Sequence, residues 1–234
     1  MVSDYKLRDK TIMEQVSFVK LTSHFSWPRL ENGRVSTKEF LEASKVILKF
    51  FDNLGKLYIP VKHDVEGNIA KLNEKYLEDP VRFAYIQDMI EHEVSSGSNY
   101  AAESLLWLKR GLHFICLFLH ALVMDHQRKV TSESLLDNMR VSYELSLKPY
   151  HNWMLQKLFL ILSRAAPTRQ ELLKSMTNYS SSEIDLNHED VMKKVKVFVE
   201  GLQSNLEAIF DLYVRLRLDN REFKLFPRNE IITS

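Results

Sequence analysis

The stretch YAAESLLWLKRGLHFICLFLHALVM, residues 100–124, decides the fold class. Its apolar positions recur at helical intervals and cover about half of the circumference, wider than the stripe of a helix lying on a surface. Such a helix belongs at the centre of a domain. Lys109, Arg110, His113 and His120 interrupt it, whereas a membrane span needs roughly 20 largely uninterrupted apolar residues. The stretch therefore reads as a core helix of a soluble protein.

On either side of it, punctuation is sparse. Six Gly and six Pro in 234 residues, with no alternating Val/Ile/Thr run of strand length, leave little for hairpins. Ser36-Thr37-Lys38-Glu39 has capping-box spacing ahead of Phe40, Ala43, Ile47, Phe51 and Leu54, and Gly55 supplies a stop, so a helix is predicted over 37–54. A second is predicted from His63 to Leu77, and a third from Asp79-Pro80, an N-cap followed by proline. Further helical patterns cover 133–148, 149–164, 168–176 and 188–218, with a polar loop over Thr177–Asn187. The first 30 and last 15 residues read as irregular.

Composition narrows the function. Apolar residues make up 45% and charged residues 27%, enough for a sizeable core and unlike a disordered chain. Lys and Arg number 32 against 31 Asp and Glu, so no long-range field favours nucleic acid. A single cysteine, Cys116, excludes a disulfide framework and a thiolate metal site, and suits a reducing compartment such as cytosol. The first residues, MVSDYKLRDKTIMEQ, lack the apolar core of a signal peptide. No G-x-S-x-G elbow and no H-E-x-x-H pair is present, so lipid or peptide hydrolysis has no recognisable machinery.

Two rows of residues stand out. Asp64, Asn68, Lys71 and Lys75 recur at helical spacing and form one polar stripe beside Val65, Ile69, Leu72 and Tyr76. Trp107, Gly111, Phe114 and Phe118 form another row on the central helix. Spacing alone favours a solvated face for the first and ordinary core packing for the second over a binding site. Tyr150-His151-Asn152-Trp153 sits near a helix start, where a lone His is more often a capped or exposed residue than a ligand.

Taken together, PVKHDVEGNIAK at 60–71, LLWLKRGL at 105–112 and YHNW at 150–153 resemble, in order and separation, the signature segments of the glycolipid transfer protein family. The resemblance implies an all-α, two-layer helical sandwich of about eight helices, spanning 36–218, after an N-terminal extension (1–35) and before a C-terminal tail (219–234). It implies a monomeric cytoplasmic carrier of glycosphingolipid, transiently at membranes, with no cofactor, no metal and no enzymatic activity. By position, Asp64, Asn68 and Lys71 hydrogen-bond sugar hydroxyls, Trp107 lies against the first sugar ring, and Asp64 with His151 grips the ceramide amide. Val61, Phe114, Phe118, Leu147 and Phe159 line the hydrocarbon tunnel. Trp153, with Lys157 one turn on, meets the membrane.

The chemistry suits these assignments. A sugar needs donors and acceptors together, and an indole face covers its C–H side. An amide has one N–H and one C=O, which a carboxylate and an imidazole N–H satisfy. A ceramide with about 30 methylenes, at about 0.8 kcal/mol each, would lose on the order of 20 kcal/mol if released into water, so a carrier must enclose the tails. Exchange between bilayer and pocket needs no energy source.

Three departures from the family pattern stand in the sequence: Asn152 in place of a common glycine, the long segment Arg221–Ser234, and the residues before Ser36. Rival readings are ceramide-1-phosphate carriage, for which Lys71 and Arg110 are the available cations, and a glycolipid sensor or scaffold.

Overall fold

The structure is a computed structural model that describes residues 17–24, 26–177, 188–219 and 223. Among them nine α-helices and no strand occur. The helices are α1 (Phe18–His24), α2 (Thr37–Leu54), α3 (Ile59–Glu78), α4 (Ile86–Ser95), α5 (Tyr100–Gln127), α6 (Leu136–Leu145), α7 (Trp153–Arg164), α8 (Arg169–Thr177) and α9 (His188–Arg215). Short 3-10 turns at Lys56–Tyr58 and Lys148–Tyr150 lead into α3 and α7. The architecture is an all-α, two-layer helical sandwich.

The quoted stretch is α5, and it is central. Helices α3, α4, α6 and α9 all pack against it. By length and composition α5 would suffice to cross a membrane, yet 67% of its most apolar window is buried inside the molecule. Its apolar surface is used by the protein's own core, including Leu105, Leu108, Leu112, Ile115, Phe118 and Leu119. Its N-terminus is held by Glu93, a carboxylate only 1% exposed that accepts from Ala101 N at 3.0 Å and Ala102 N at 2.7 Å. Negative charge at the amino end of a helix satisfies free N–H groups and opposes the helix dipole. Tyr213 of α9 donates its hydroxyl to the Ala102 carbonyl at 2.5 Å, binding the two longest helices together.

Several sequence expectations are corrected. No helix starts at Asp79-Pro80. Asp79 does form a capping turn, accepting from Arg82 N at 3.0 Å, but the chain then becomes extended. Thr37 N bonds to Ala84 O at 2.8 Å and Ile86 N to Val35 O at 2.9 Å, and this pairing with the segment before α2 delays the helix to Ile86. The same pairing takes over from the capping box: Ser36 precedes α2 but makes no side-chain cap bond. Helix α3 begins at Ile59 rather than His63, because Pro60 occupies its first turn, where a missing N–H costs nothing. Pro149 falls in a 3-10 turn, so α6 and α7 are shorter than 133–148 and 149–164. The last helix stops at Arg215.

The first 30 residues are not all irregular. Phe18, Val19, Trp27 and Val35, in the segment expected as an extension, belong to the core. The Phe18 ring lies 5.6 Å from both Phe50 and Phe198, and Trp27 lies 5.5 Å from Phe40 and Phe198. Gly201 allows that approach, since a Cβ there would sit 3.1 Å from Trp27 Cβ. The loop expected over Thr177–Asn187 falls, beyond Thr177 itself, outside the described residues, as does most of the tail.

Glu93→Ala leaves two amide donors of α5 without their acceptor in a buried place. It is expected to lower the unfolding free energy by about 2 kcal/mol in a urea titration.

Candidate functional site

Helix α3 presents Asp64 and Lys71 to solvent and buries Asn68 between them. The Asn68 side chain donates Nδ2 to the Asp64 carbonyl at 3.0 Å. Lys71 faces α5, its Nζ 6.0 Å from the ring centre of Tyr100. Lys75, the fourth member of the stripe, turns away: it pairs with Glu78 at 2.6 Å and lies 5.6 Å from the Phe83 ring. Lys71 thus lies toward α5 and Lys75 toward Phe83.

The ring of Trp107 is 37% exposed on α5. Gly111 is not explained by a close helix approach, because a Cβ built there meets nothing within 4 Å. Between them in sequence, Arg110 sets its guanidinium 4.9 Å from the Trp107 ring and 3.5 Å from the Tyr150 ring. That contact joins α5 to the connection between α6 and α7, where His151 follows. His151 Nδ1 lies 3.0 Å from the Tyr143 hydroxyl. Burial lowers the imidazole pKa, the charge of Asp64 raises it, and the charge of Arg110 lowers it. The His151 ring therefore feels charges carried by both α3 and α5, and Arg110 bridges the Trp107 ring to Tyr150, the residue before His151.

Tyr143 links that polar site to the apolar interior. Its hydroxyl meets His151, while its ring stacks on Phe159 at 3.7 Å. Burial pushes its phenol up to about 12, so it stays protonated. From Phe159 the aromatic contacts continue to Phe114 at 6.1 Å, then to Phe118 at 6.3 Å and Phe50 at 6.1 Å. Val61 and Leu147 pack against the same core. All five sequence candidates for the apolar lining are thus in one cluster.

Helix α7 is arranged inversely to a core helix. Among its residues only Ser163 is buried, while Trp153 and Ile161 are 66% and 62% exposed and Met154, Leu155, Leu158 and Leu160 are also exposed. Lys157 Nζ lies 4.9 Å from the Trp153 ring. Asn152 proves to be the cap of this helix: its Oδ1 accepts from Leu155 N at 3.0 Å, and its φ of −68° needs no glycine. Tyr58, bonded through its hydroxyl to the Leu162 carbonyl at 2.7 Å, ties α7 to the start of α3.

Sequence reasoning gave Tyr143 and Asp219 no part in this region, and Tyr150 none beyond its place in the segment 150–153. Tyr143 precedes His151 across a proline-containing turn, and no spacing rule connects them. Asp219 lies beyond α9 yet reaches Lys109 and Arg110 on α5. Lys109 is fully buried, which lowers its pKa, while its hydrogen bond to Asp219 opposes that shift.

Residues 35–178 match the family model described as "Glycolipid transfer protein (GLTP)". The chain belongs to the glycolipid transfer protein family. It is similar to the glycolipid transfer protein of Danio rerio, at 35% identity over 193 residues, 80% of this chain and 90% of that protein. Among solved structures it resembles HET-C2, a fungal glycolipid transfer protein, at 29% identity and a TM-score of 0.68, over 85% of this chain and 93% of that one. It also resembles FAPP2, described as selecting simple glycosphingolipids with this fold, at 26% identity and 0.73, over 90% and 96%. Mouse ceramide-1-phosphate transfer protein shares the fold at 19% identity and 0.70, over 87% and 98%. Solved structures with this fold thus include proteins named for different headgroups.

Asp64→Asn removes the negative charge that favours the imidazolium form of His151, so the His151 pKa should fall further. Histidine-resolved NMR titration checks this; an unmoved midpoint would place the two residues out of electrostatic reach.

Proposed function

We propose that this protein takes one glycosphingolipid from a membrane and carries it to another, with the sugar at the Asp64–Asn68–Lys71–Trp107 site and the hydrocarbon chains beneath it. The observation that carries this reading is the continuity at Tyr143, one side chain with its hydroxyl on His151 and its ring on Phe159. A two-part ligand requires such a junction of polar and apolar surroundings.

At the polar end, the exposed Trp107 face takes the C–H side of the first sugar ring, and the carboxylate, amide and ammonium of α3 take its hydroxyls. With Tyr143 donating to Nδ1, a neutral His151 carries its proton on Nε2 and offers it to the carbonyl of the ceramide amide. Asp64 accepts from the amide N–H. A glycerolipid has no amide, and leaving such partners unpaired in a half-buried site costs about 1–3 kcal/mol. Val61, Phe114, Phe118, Leu147 and Phe159 separate to admit the chains.

The exposed face of α7 is the membrane contact. Trp153 suits the bilayer interface through its apolar body and single N–H, and Lys157 beside it meets anionic headgroups. The protein works as a cytoplasmic monomer that touches the bilayer transiently. It needs no cofactor and makes or breaks no covalent bond, because moving a lipid between two apolar surroundings follows its concentration.

Transfer of a fluorescent galactosylceramide between vesicles tests the reading. Trp107→Ala and Asp64→Ala are each expected to bring transfer to background with helix content unchanged. A clear preference of the unaltered protein for ceramide-1-phosphate overturns the headgroup assignment. Trp153→Ala is expected to weaken vesicle binding about tenfold in a sedimentation assay, as losing one large interfacial apolar side chain should.

A further inference from the structure

The wall of the polar site holds more positive charge than a sugar requires. Lys109 and Arg110, neighbours on α5, converge on one carboxylate: Asp219 Oδ2 lies 2.8 Å from Lys109 Nζ and 3.3 Å from Arg110 Nη2. All three side chains are withdrawn from solvent, at 0%, 11% and 7% exposure for Lys109, Arg110 and Asp219. Lys109 is enclosed further by the rings of Phe210 at 3.9 Å and Tyr213 at 4.9 Å. Arg110 stands differently. Its guanidinium lies over Tyr150 and beside Trp107, and its Nε has no hydrogen-bond partner among the described residues.

A guanidinium so placed is the natural partner of a phosphate monoester, which seeks convergent, charge-assisted donors. Asp219 opposes that use in two ways. It cancels charge next to the site, and it engages the Nη2 edge of Arg110 so that a second anion would have to displace it. Separating a buried carboxylate from its cations without replacement is strongly unfavourable.

We propose that Asp219 is a specificity-determining residue, which holds Arg110 against Tyr150 and so makes the site accept uncharged sugar hydroxyls and refuse a phosphate monoester head. The inference rests on the lipid-carrier reading above and adds to it how the headgroup class is chosen. The selecting residue comes from the chain beyond α9 rather than from the helices that form the site.

The test is vesicle-to-vesicle transfer by the full chain, with fluorescent galactosylceramide and fluorescent ceramide-1-phosphate measured separately in the same phosphatidylcholine vesicles. Asp219→Asn keeps the shape and an acceptor but removes the charge. Because that variant leaves two buried cations facing each other, Lys109→Met/Asp219→Asn is measured beside it: Met fills the stem's place against Phe210 and Tyr213, and Arg110 alone stays charged. The ratio of ceramide-1-phosphate to galactosylceramide transfer is expected to rise about tenfold in both variants, the gain of roughly one charge-assisted hydrogen bond. An unmoved ratio in the double variant with native helix content overturns the role of Asp219 while leaving the carrier reading in place. Failure of the unaltered protein to transfer either lipid overturns both.

Discussion

Burying α5 is the constraint on which the rest of the molecule depends. A helix apolar around half its surface has no stable place at the edge of a small protein, so α3, α4, α6 and α9 must close around it. Polar contacts then determine how they close. Glu93 seals the amino end of α5, Tyr213 bonds its first turn to α9, and Asp219 draws the chain beyond α9 onto Lys109 and Arg110. Those last two residues stand two and three positions after Trp107, so the contacts that fix the core also fix the surroundings of its ring.

A carrier of a two-tailed lipid has to satisfy opposing demands within a few ångströms. Its ligand's sugar and amide need hydrogen-bonding groups that keep some access to water, and its chains need a dry interior. Tyr143 meets both by orientation, with the hydroxyl toward His151 and the ring flat against Phe159. Its neighbour in the site, Arg110, has the complementary character: a charged plane lying on the face of Tyr150. Two tyrosine rings therefore stand at this border, Tyr150 under a guanidinium and Tyr143 with a polar partner at one end and an aromatic face beside it.

Helix α7 shows the same economy at the surface. Its exposed Trp153, Met154, Leu158 and Ile161 leave an apolar face that a solvated monomer does not ordinarily keep unless something covers it. That face begins two residues after His151, and Asn152 connects the two by capping the helix. The exposed apolar face and the His151 imidazole are thereby adjacent in sequence and joined by one capping residue.

The sequence by itself determined the helical class, the central place of residues 100–124 and the three segments that carry the family resemblance, because helical periodicity and residue chemistry are local properties. It also determined that a polar row and an indole stood on different helices. It misjudged the start at Asp79-Pro80, since a strong local cap lost to pairing between Val35–Thr37 and Ala84–Ile86, two segments far apart in the chain. Only the tertiary structure decided that Arg110 lies between the rings of Trp107 and Tyr150, that Tyr143 joins His151 to the aromatic interior, and that Asp219 stands behind Arg110. Each of these rests on contacts between residues separated by a turn or by most of the domain, and such contacts leave no mark in spacing.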